Sequence, residues 1–238
     1  MFLYYARAID ATMLPALGSL ANQQAAPTEN KMTLAKQFLN YAATHPDAII
    51  TYHASDMVLS VHSNASYLSE SKARSRARGH FFMSNNSTIT ANNGDVVTIS
   101  QIIKAVMSSA AEAELGALFI NCREAIPARH SLKAMGHNQP PTTMKTDNTT
   151  AHGVVTNNIS SKNLKSMDMK LHWIRCRISQ KQFRHYWQPG PNNLGDYVTK
   201  HHAVIHHKAV RRTYLTPKHK LELFRSRQNT NTSAARVC

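Results

Sequence analysis

One stretch decides the fold: Ser108-Ser-Ala-Ala-Glu-Ala-Glu-Leu-Gly-Ala-Leu118. Two serines ahead of helix-forming residues are a typical N-terminal cap, because a serine hydroxyl accepts a hydrogen bond from a free backbone N–H of the first turn. Apolar residues then recur every three or four positions on one face, namely Leu115, Leu118, Phe119, Cys122 and Ile126. The stretch therefore predicts a long amphipathic helix that carries an acidic residue, Glu114, near its start.

Segments that favour strands lie on both sides of this helix. Before it, four apolar or alternating segments predict strands over residues 48–52, 57–63, 78–83 and 96–103. After it, the pattern predicts a strand over 142–146, a helix, a basic helix over 166–177, a strand over 182–187 and a last helix from about 193. This order predicts an α/β fold, in which a mixed sheet is covered by helices.

The N-terminal segment is also predicted to be helical, from the spacing of its apolar residues. Residues 1–24 predict one kinked helix or two short ones around Pro15, and an amphipathic helix follows until His45-Pro46. We divide the chain into a helical connection segment over 1–50, an α/β domain over 51–205, and a basic, disordered tail over 206–238. The abrupt apolar start suggests a fragment of a longer chain.

The charge balance indicates the class of partner. The chain has 28 Lys and Arg against 13 Asp and Glu, a formal net charge of +15. Such a balance attracts nucleic acid, because phosphate binding releases counterions. No apolar run approaches the roughly 20 residues of a spanning helix, and no secretory signal is evident. We expect an intracellular protein, in the cytoplasm or nucleus, with a nucleic-acid partner, no membrane partner and no small-molecule substrate. The oligomeric state stays open.

Three acidic residues lie within or next to the predicted helices and strands. Glu114 lies within the long helix, Asp147 follows a strand, and Asp196 begins the last helix. Carboxylates from separate segments are the hard oxygen ligands that two Mg²⁺ ions need for phosphodiester hydrolysis. By spacing alone, solvated surface charges are the favoured explanation of the three.

Six ordered blocks resemble the ribonuclease H region of copia-type retrotransposon polyproteins. They are Tyr52-His-Ala-Ser-Asp-Met-Val-Leu59, Ser63-Asn-Ala-Ser-Tyr-Leu-Ser69, Ser108 to Leu118, Thr146-Asp-Asn-Thr-Thr-Ala151, Lys165-Ser-Met-Asp-Met-Lys-Leu-His-Trp-Ile-Arg175, and Pro189-Gly-Pro-Asn-Asn-Leu-Gly-Asp-Tyr-Val-Thr-Lys200. The N-terminal segment is similar to the part of such polyproteins that connects the reverse transcriptase to its ribonuclease H. The resemblance implies a five-stranded mixed sheet flanked by helices, and Mg²⁺-dependent cleavage of the RNA strand of an RNA/DNA hybrid.

The resemblance also implies four acidic metal ligands. This chain lacks the acidic residue at the first of these four positions. The second, third and fourth match Glu114, Asp147 and Asp196, whereas the first matches Asn64. An amide keeps one oxygen but loses the negative charge that binds the cations. Loss of a catalytic carboxylate of this kind costs about 4 kcal/mol in barrier, roughly a thousandfold in rate. We expect the two-ion site to be reduced to one ion or lost.

Three functions stay open after this departure. The first is a degenerate ribonuclease-H-like protein that binds hybrids, and it counts as an enzyme only if hydrolysis survives. The others are a non-catalytic nucleic-acid-binding module and an inert remnant of a reverse transcriptase polyprotein. No Tyr-x-Asp-Asp pair is present, so the sequence does not predict a polymerase.

A basic cluster between strands, Arg74, Arg76 and Arg78, is our candidate for phosphate contacts, with a solvated loop as the alternative. Tyr186 is the candidate for stacking on bases. For the remaining polar and aromatic residues we favour structural roles. We assign Trp187 to the core, Cys122 and Cys176 to apolar helix faces, Glu112 to the helix surface, Asp168 to a local ion pair, and His201, His202, His206 and His207 to a basic surface rather than a transition-metal site.

Overall fold

The computed structural model describes residues 1–22, 24–25, 28–87, 92–156, 167–197 and 204–215. Within this part, five strands form one mixed sheet with the order β3-β2-β1-β4-β5. The strands β1 to β3 form an antiparallel meander, and β4 and β5 run parallel to β1. Their bounds are Val58–Glu70 (β1), Arg74–Ser84 (β2), Asp95–Ile102 (β3), Thr142–Thr146 (β4) and Phe183–Trp187 (β5).

Helices cover both faces of the sheet. Three of them precede it: α1 (Phe2–Ala8), α2 (Leu14–Ala21) and α3 (Glu29–Thr44). The others follow in chain order: α4 (Ala110–Ala134), α5 (Thr149–Val155), α6 (Asp168–Ser179), α7 (Leu194–Tyr197) and α8 (Val204–Tyr214). The expected five-stranded mixed sheet flanked by helices is confirmed. No described helix is long and apolar enough to cross a bilayer.

The helix α4 organises the main core, as its sequence predicts. Ser109 caps it, since its hydroxyl accepts a hydrogen bond from the Glu112 N–H at 3.2 Å. Leu115, Leu118 and Cys122 are buried against the sheet. Glu112, which we assigned to the helix surface, is buried instead, because its carboxylate accepts a hydrogen bond from the Ser108 N–H at 2.8 Å. Glu112 thereby binds the backbone one residue ahead of the Ser109 cap, and that assignment is wrong.

The opposite face of the sheet carries polar and basic side chains under the terminal helices. Arg76 and Arg78 are 4% and 1% exposed, and they lie inside β2 rather than between strands as we expected. The Arg76 guanidinium pairs with Glu70 and packs beside Gly18 of α2. The prediction failed because arginine stems can be buried along a strand face when helices cover it.

Two further expectations are wrong. Residues 48–52 form no strand, because they pack as an irregular segment in which Ile50 contacts the cluster of Leu194 and Tyr214. The predicted tail is helical in its described part, since α8 extends to Tyr214, whose buried ring packs 5.7 Å from His80. Residues 216–238 of that tail lie outside the described residues.

Candidate functional site

The sheet brings the four predicted site positions to one region. Asn64 lies in the middle of β1, and Asp147 directly follows the parallel neighbour β4. Because His62 pairs with Lys145, extending the register by two residues places Asp147 level with Asn64. Glu114 reaches the same region from α4, and Asp196 reaches it from α7.

Glu114 is buried and held by donors of the protein. Its Oε1 accepts a hydrogen bond from the Ala65 N–H at 2.8 Å, and its Oε2 accepts one from the Thr146 hydroxyl at 3.3 Å. Burial, together with the negative charges of Asp147 and Asp196, raises the pKa of Glu114 to about 8, against the opposing effect of the two hydrogen bonds. The side chain therefore holds its proton at neutral pH.

Asn64 is bonded to the acidic neighbour that the resemblance assigns to the same metal site. Its Nδ2 donates a hydrogen bond to Asp196 Oδ1 at 3.2 Å, and its Oδ1 accepts one from the Ala65 N–H at 2.6 Å. The amide thus presents a donor to the carboxylate, in the direction where an aspartate would present a second negative charge. A neutral hydrogen-bond donor therefore lies beside the Asp196 carboxylate at this position.

The short helix α7 is fixed against β1 by residues that the sequence did not suggest. Asn193 Nδ2 donates to the Ser63 carbonyl at 3.0 Å, and the Leu194 N–H donates to His62 Nδ1 at 3.1 Å. A Cβ on Gly195 would lie 3.2 Å from the Asn64 Cβ, so glycine permits this close approach. These contacts position Asp196 beside Asn64, and only tertiary packing defines them.

Asp147 is positioned from the other side by an aromatic residue. The Trp187 indole N–H donates to the Asp147 carbonyl at 2.9 Å. Trp187 is 45% exposed, so our assignment of this residue to the core is wrong. It lies at the end of β5, where its ring can both hold the Asp147 loop and face solvent.

Within the described ranges, no group of three or more His, Cys, Asp or Glu side chains lies close enough to hold a metal ion. Both Glu114 oxygens contact protein donors, and the Asn64 oxygen contacts Ala65. The Ala65 N–H is shared between these two side chains, and the metal role of Glu114, Asp147 and Asp196 stays a prediction.

The predicted nucleic-acid contacts differ in their exposure. Arg78 and Arg76 are buried, and burial lowers the pKa of the Arg78 guanidinium from its ordinary value. Arg74, at the start of β2, is partly exposed. Tyr186 is 36% exposed on β5, and the Arg184 guanidinium lies 5.9 Å from its ring centroid. Arg74, Tyr186 and Arg184 are therefore the accessible candidates.

The remaining candidates have structural explanations. His207 lies between two tyrosine hydroxyls, with its Nε2 3.0 Å from the Tyr41 hydroxyl and its Nδ1 bonded to Tyr197. His201 and His202 lie outside the described residues. Cys122 is buried as expected, whereas Cys176 is exposed, because α6 turns Leu171 and Ile174 toward the core instead.

Solved structures similar to this chain are ribonuclease H domains. No protein-family model matches the sequence, and no curated protein matches it either. The N-terminal ribonuclease H domain of Rv2228c from Mycobacterium tuberculosis is 10% identical, with 60% of this chain and 91% of that chain covered and a TM-score of 0.41. The LC11 ribonuclease H1 isolated from compost is 11% identical, with 60% and 92% covered and a TM-score of 0.45. The ribonuclease H domain of PFV is 15% identical, with 62% and 93% covered and a TM-score of 0.35.

The fold class is ribonuclease-H-like. It follows from the strand order and strand directions of the chain itself, which are those of a five-stranded mixed sheet flanked by helices. Identities of this size bear on the fold alone, and the activity has to be argued from the residues of this site.

Proposed function

We propose that this chain is a degenerate ribonuclease-H-like protein of copia-type retrotransposon origin, which binds RNA/DNA hybrids and hydrolyses them poorly or not at all. The observation that carries the proposal is the hydrogen bond from Asn64 Nδ2 to Asp196 Oδ1 at 3.2 Å. A hydrogen-bond donor, the Asn64 amide, therefore lies at the position where the family resemblance implies a carboxylate. Two-ion hydrolysis depends on negative ligands around both cations, so the nominal Mg²⁺ chemistry is impaired at this position.

Hybrid binding is supported by charge and by accessible side chains. The net charge of +15 favours any nucleic acid through counterion release. Arg74 and the Arg184–Tyr186 pair offer cationic and aromatic groups for the backbone and the bases. Such hybrids form inside cells, so the proposal places the protein in the cytoplasm or nucleus.

The decisive experiment measures cleavage of a labelled RNA/DNA hybrid with Mg²⁺ and then with Mn²⁺. We expect no turnover above background by the unaltered protein. We expect Asn64→Asp to raise the rate, because it returns the missing negative charge. Asn138→Asp, at an exposed position, changes the net charge equally and should leave the rate unchanged. Robust cleavage by the unaltered protein would contradict the proposal.

A non-catalytic binding module is the second candidate, and the same Asn64–Asp196 bond favours it, since a donor of the protein contacts the carboxylate in place of a cation. It is separated from an inert remnant by titrating the protein with hybrid at two salt concentrations. A binding module gives saturable affinity that falls steeply with salt. Equal, weak affinity for hybrid, duplex DNA and duplex RNA would favour the inert remnant.

A further inference from the structure

The sheet face under the terminal helices carries two rows of polar side chains, which we call the polar block. Each row crosses β1, β2 and β3 at positions that are paired in the strand register. Residues two apart in a strand point to the same face of the sheet, so the two rows are neighbours. The rows are His62, His80 and Thr98, and then Asn64, Arg78 and Ser100.

Several buried polar atoms of this block have no hydrogen-bond partner within the described ranges. They are the Nε2 of His62, both ring nitrogens of His80, and the Nε and Nη1 of Arg78. Five of the eleven such atoms in the described part of the chain thus lie in one place. Buried polar atoms in folded proteins are almost always hydrogen-bonded, so the block points to a partner from outside the described chain.

Three of these atoms are N–H donors. An arginine guanidinium has donors only, and it keeps its charge in proteins. His62 Nδ1 accepts a hydrogen bond from the Leu194 N–H at 3.1 Å, and burial lowers the pKa of His62 well below its ordinary value. The His62 ring is therefore neutral and carries its single proton on Nε2. Donors without an acceptor indicate that the partner is an acceptor.

The charge of Arg78 indicates the charge of this partner. The side chain is 1% exposed and belongs to none of the ion pairs of the described residues. Glu70 lies near enough to affect Arg78, but Glu70 is already paired with Arg76. Burial, followed by the like charge of Arg76, lowers the pKa of Arg78 well below its ordinary value. Because a buried unpaired cation is strongly destabilising, an anion beside Arg78 would stabilise the fold.

The acidic residues that contact the polar block bind its neutral members. The Asp95 carboxylate accepts a hydrogen bond from the Thr98 hydroxyl, and the Asp196 carboxylate accepts one from Asn64 Nδ2 at 3.2 Å. Outside the described ranges, the sequence contains one acidic side chain, Glu222. An anion from solution is therefore the partner that the described residues favour, and Glu222 is the alternative that an experiment has to exclude.

The size and charge of the anion are limited by its surroundings. One buried positive charge is balanced by one negative charge, and the cost of burying an ion rises with its charge, so a monovalent anion is favoured over phosphate or sulfate. Aromatic rings also pack around the histidines. The Phe82 ring centroid lies 5.0 Å from that of His62, and the Tyr214 ring centroid lies 5.7 Å from that of His80. These contacts favour a monatomic ion over a larger one.

We propose that the polar block binds one chloride ion, held by the Arg78 guanidinium and by the Nε2–H of His62. The two residues are diagonal neighbours on adjacent strands, a separation that long side chains span. The ion lies beside the acidic site, since Arg78 pairs with Asn64 in the register. Its role concerns the stability of the fold rather than hybrid binding, so it is tested on the full chain without nucleic acid or divalent cations.

The first measurement is urea unfolding in mixtures of sodium chloride and sodium gluconate at constant ionic strength. We expect the folding equilibrium constant to rise about tenfold between about 1 and 200 mM chloride, as a Kd of about 20 mM gives. Arg78→Met should lose this dependence and stay folded without chloride, because an apolar side chain replaces the unpaired charge. Arg74→Met removes the same charge from a partly exposed position of the same strand and should keep the full dependence.

Two further variants test the second donor and the alternative partner. His62→Asn keeps an acceptor for the Leu194 N–H and removes the Nε2 donor, so the chloride effect should fall to about threefold or less, as loss of one hydrogen bond gives. His130→Asn, at an exposed position of α4, should leave the effect unchanged. Glu222→Gln should also leave it unchanged. If the Glu222 carboxylate were the partner of Arg78, the unaltered protein would show no chloride effect and Glu222→Gln would gain one.

The second measurement locates the ion directly in the unaltered protein. A crystal grown in sodium bromide should give one anomalous peak beside the Arg78 guanidinium. This result does not depend on whether any variant folds. An unfolding midpoint that is independent of chloride would overturn the proposal. So would equal chloride effects in Arg74→Met and Arg78→Met, or a crystal in which only water lies beside Arg78.

Discussion

Replacing Glu114 by glutamine should change how stability depends on pH. The folded protein raises the pKa of Glu114 from 4.5 to about 8 by burial. A group whose pKa is raised by folding contributes stability that is fully present below its unfolded pKa and is lost as pH rises through its folded pKa. Between pH 4.5 and 8 the unfolded chain ionises this carboxyl, whereas the folded chain does not. Stability therefore falls across this window in the unaltered protein.

The size of the effect follows from the two pKa values. One pKa unit corresponds to about 1.4 kcal/mol, so between pH 5 and pH 8 the Glu114 contribution to the free energy of unfolding falls by about 3 to 4 kcal/mol. Glutamine has no proton to lose; its oxygen can accept from the Ala65 N–H while its NH2 group donates to the Thr146 hydroxyl. Its stability should carry no such loss, although other groups still titrate in both proteins.

The assay is urea unfolding of both proteins at pH 5, 6.5 and 8. We expect Glu114→Gln to gain about 3 to 4 kcal/mol relative to the unaltered protein between the lowest and highest pH. Glu124→Gln is the control, because Glu124 lies exposed on the same helix and pairs with Arg123 at 3.1 Å. Parallel pH curves for the unaltered protein and Glu114→Gln would refute the protonated state inferred for Glu114.

Three further outcomes are expected. Asn64→Asp should lower the free energy of unfolding at pH 7 by about 1 to 3 kcal/mol, since a carboxylate replaces the donor 3.2 Å from Asp196. Urea unfolding measures this loss, which should be smaller near pH 4. Tyr186→Ala should weaken hybrid binding about tenfold in a fluorescence titration, as removal of one stacking ring does, and an unchanged Kd would exclude a contact. His185→Gln should flatten the acid side of the stability curve. Burial lowers the pKa of His185 to about 3, so its stabilising effect is present above about pH 6.5 and falls by up to about 4 kcal/mol as pH drops toward 3. Equal acid sensitivity of both proteins would contradict this.

The sheet and its long helix could be predicted because local chemistry specifies them. The Ser109 cap and the apolar face of α4 are defined by residues within a few turns of one another. The strand β3 and the strand β5 likewise follow from alternating residues. The acidic positions were identified from the resemblance rather than from their spacing.

The failures share one physical cause, which is burial created by elements distant in sequence. The arginines of β2 are polar by sequence, yet the terminal helices cover them, so Arg78 became a buried strand residue. The segment from residue 206 is basic by sequence, yet Tyr214 packs on His80 and orders the helix α8.

A site with four converging carboxylates needs cations to offset their repulsion, and such a protein links its stability to bound metal. Two features of this chain reduce that repulsion. Asn64 supplies a donor to Asp196, and burial keeps a proton on Glu114. The remaining negative charges can then be accommodated without a cation, although the same changes withdraw the charge that would bind one. Under the proposed function, the substitution at Asn64 that would impair hydrolysis would therefore also reduce the need of the fold for a bound metal.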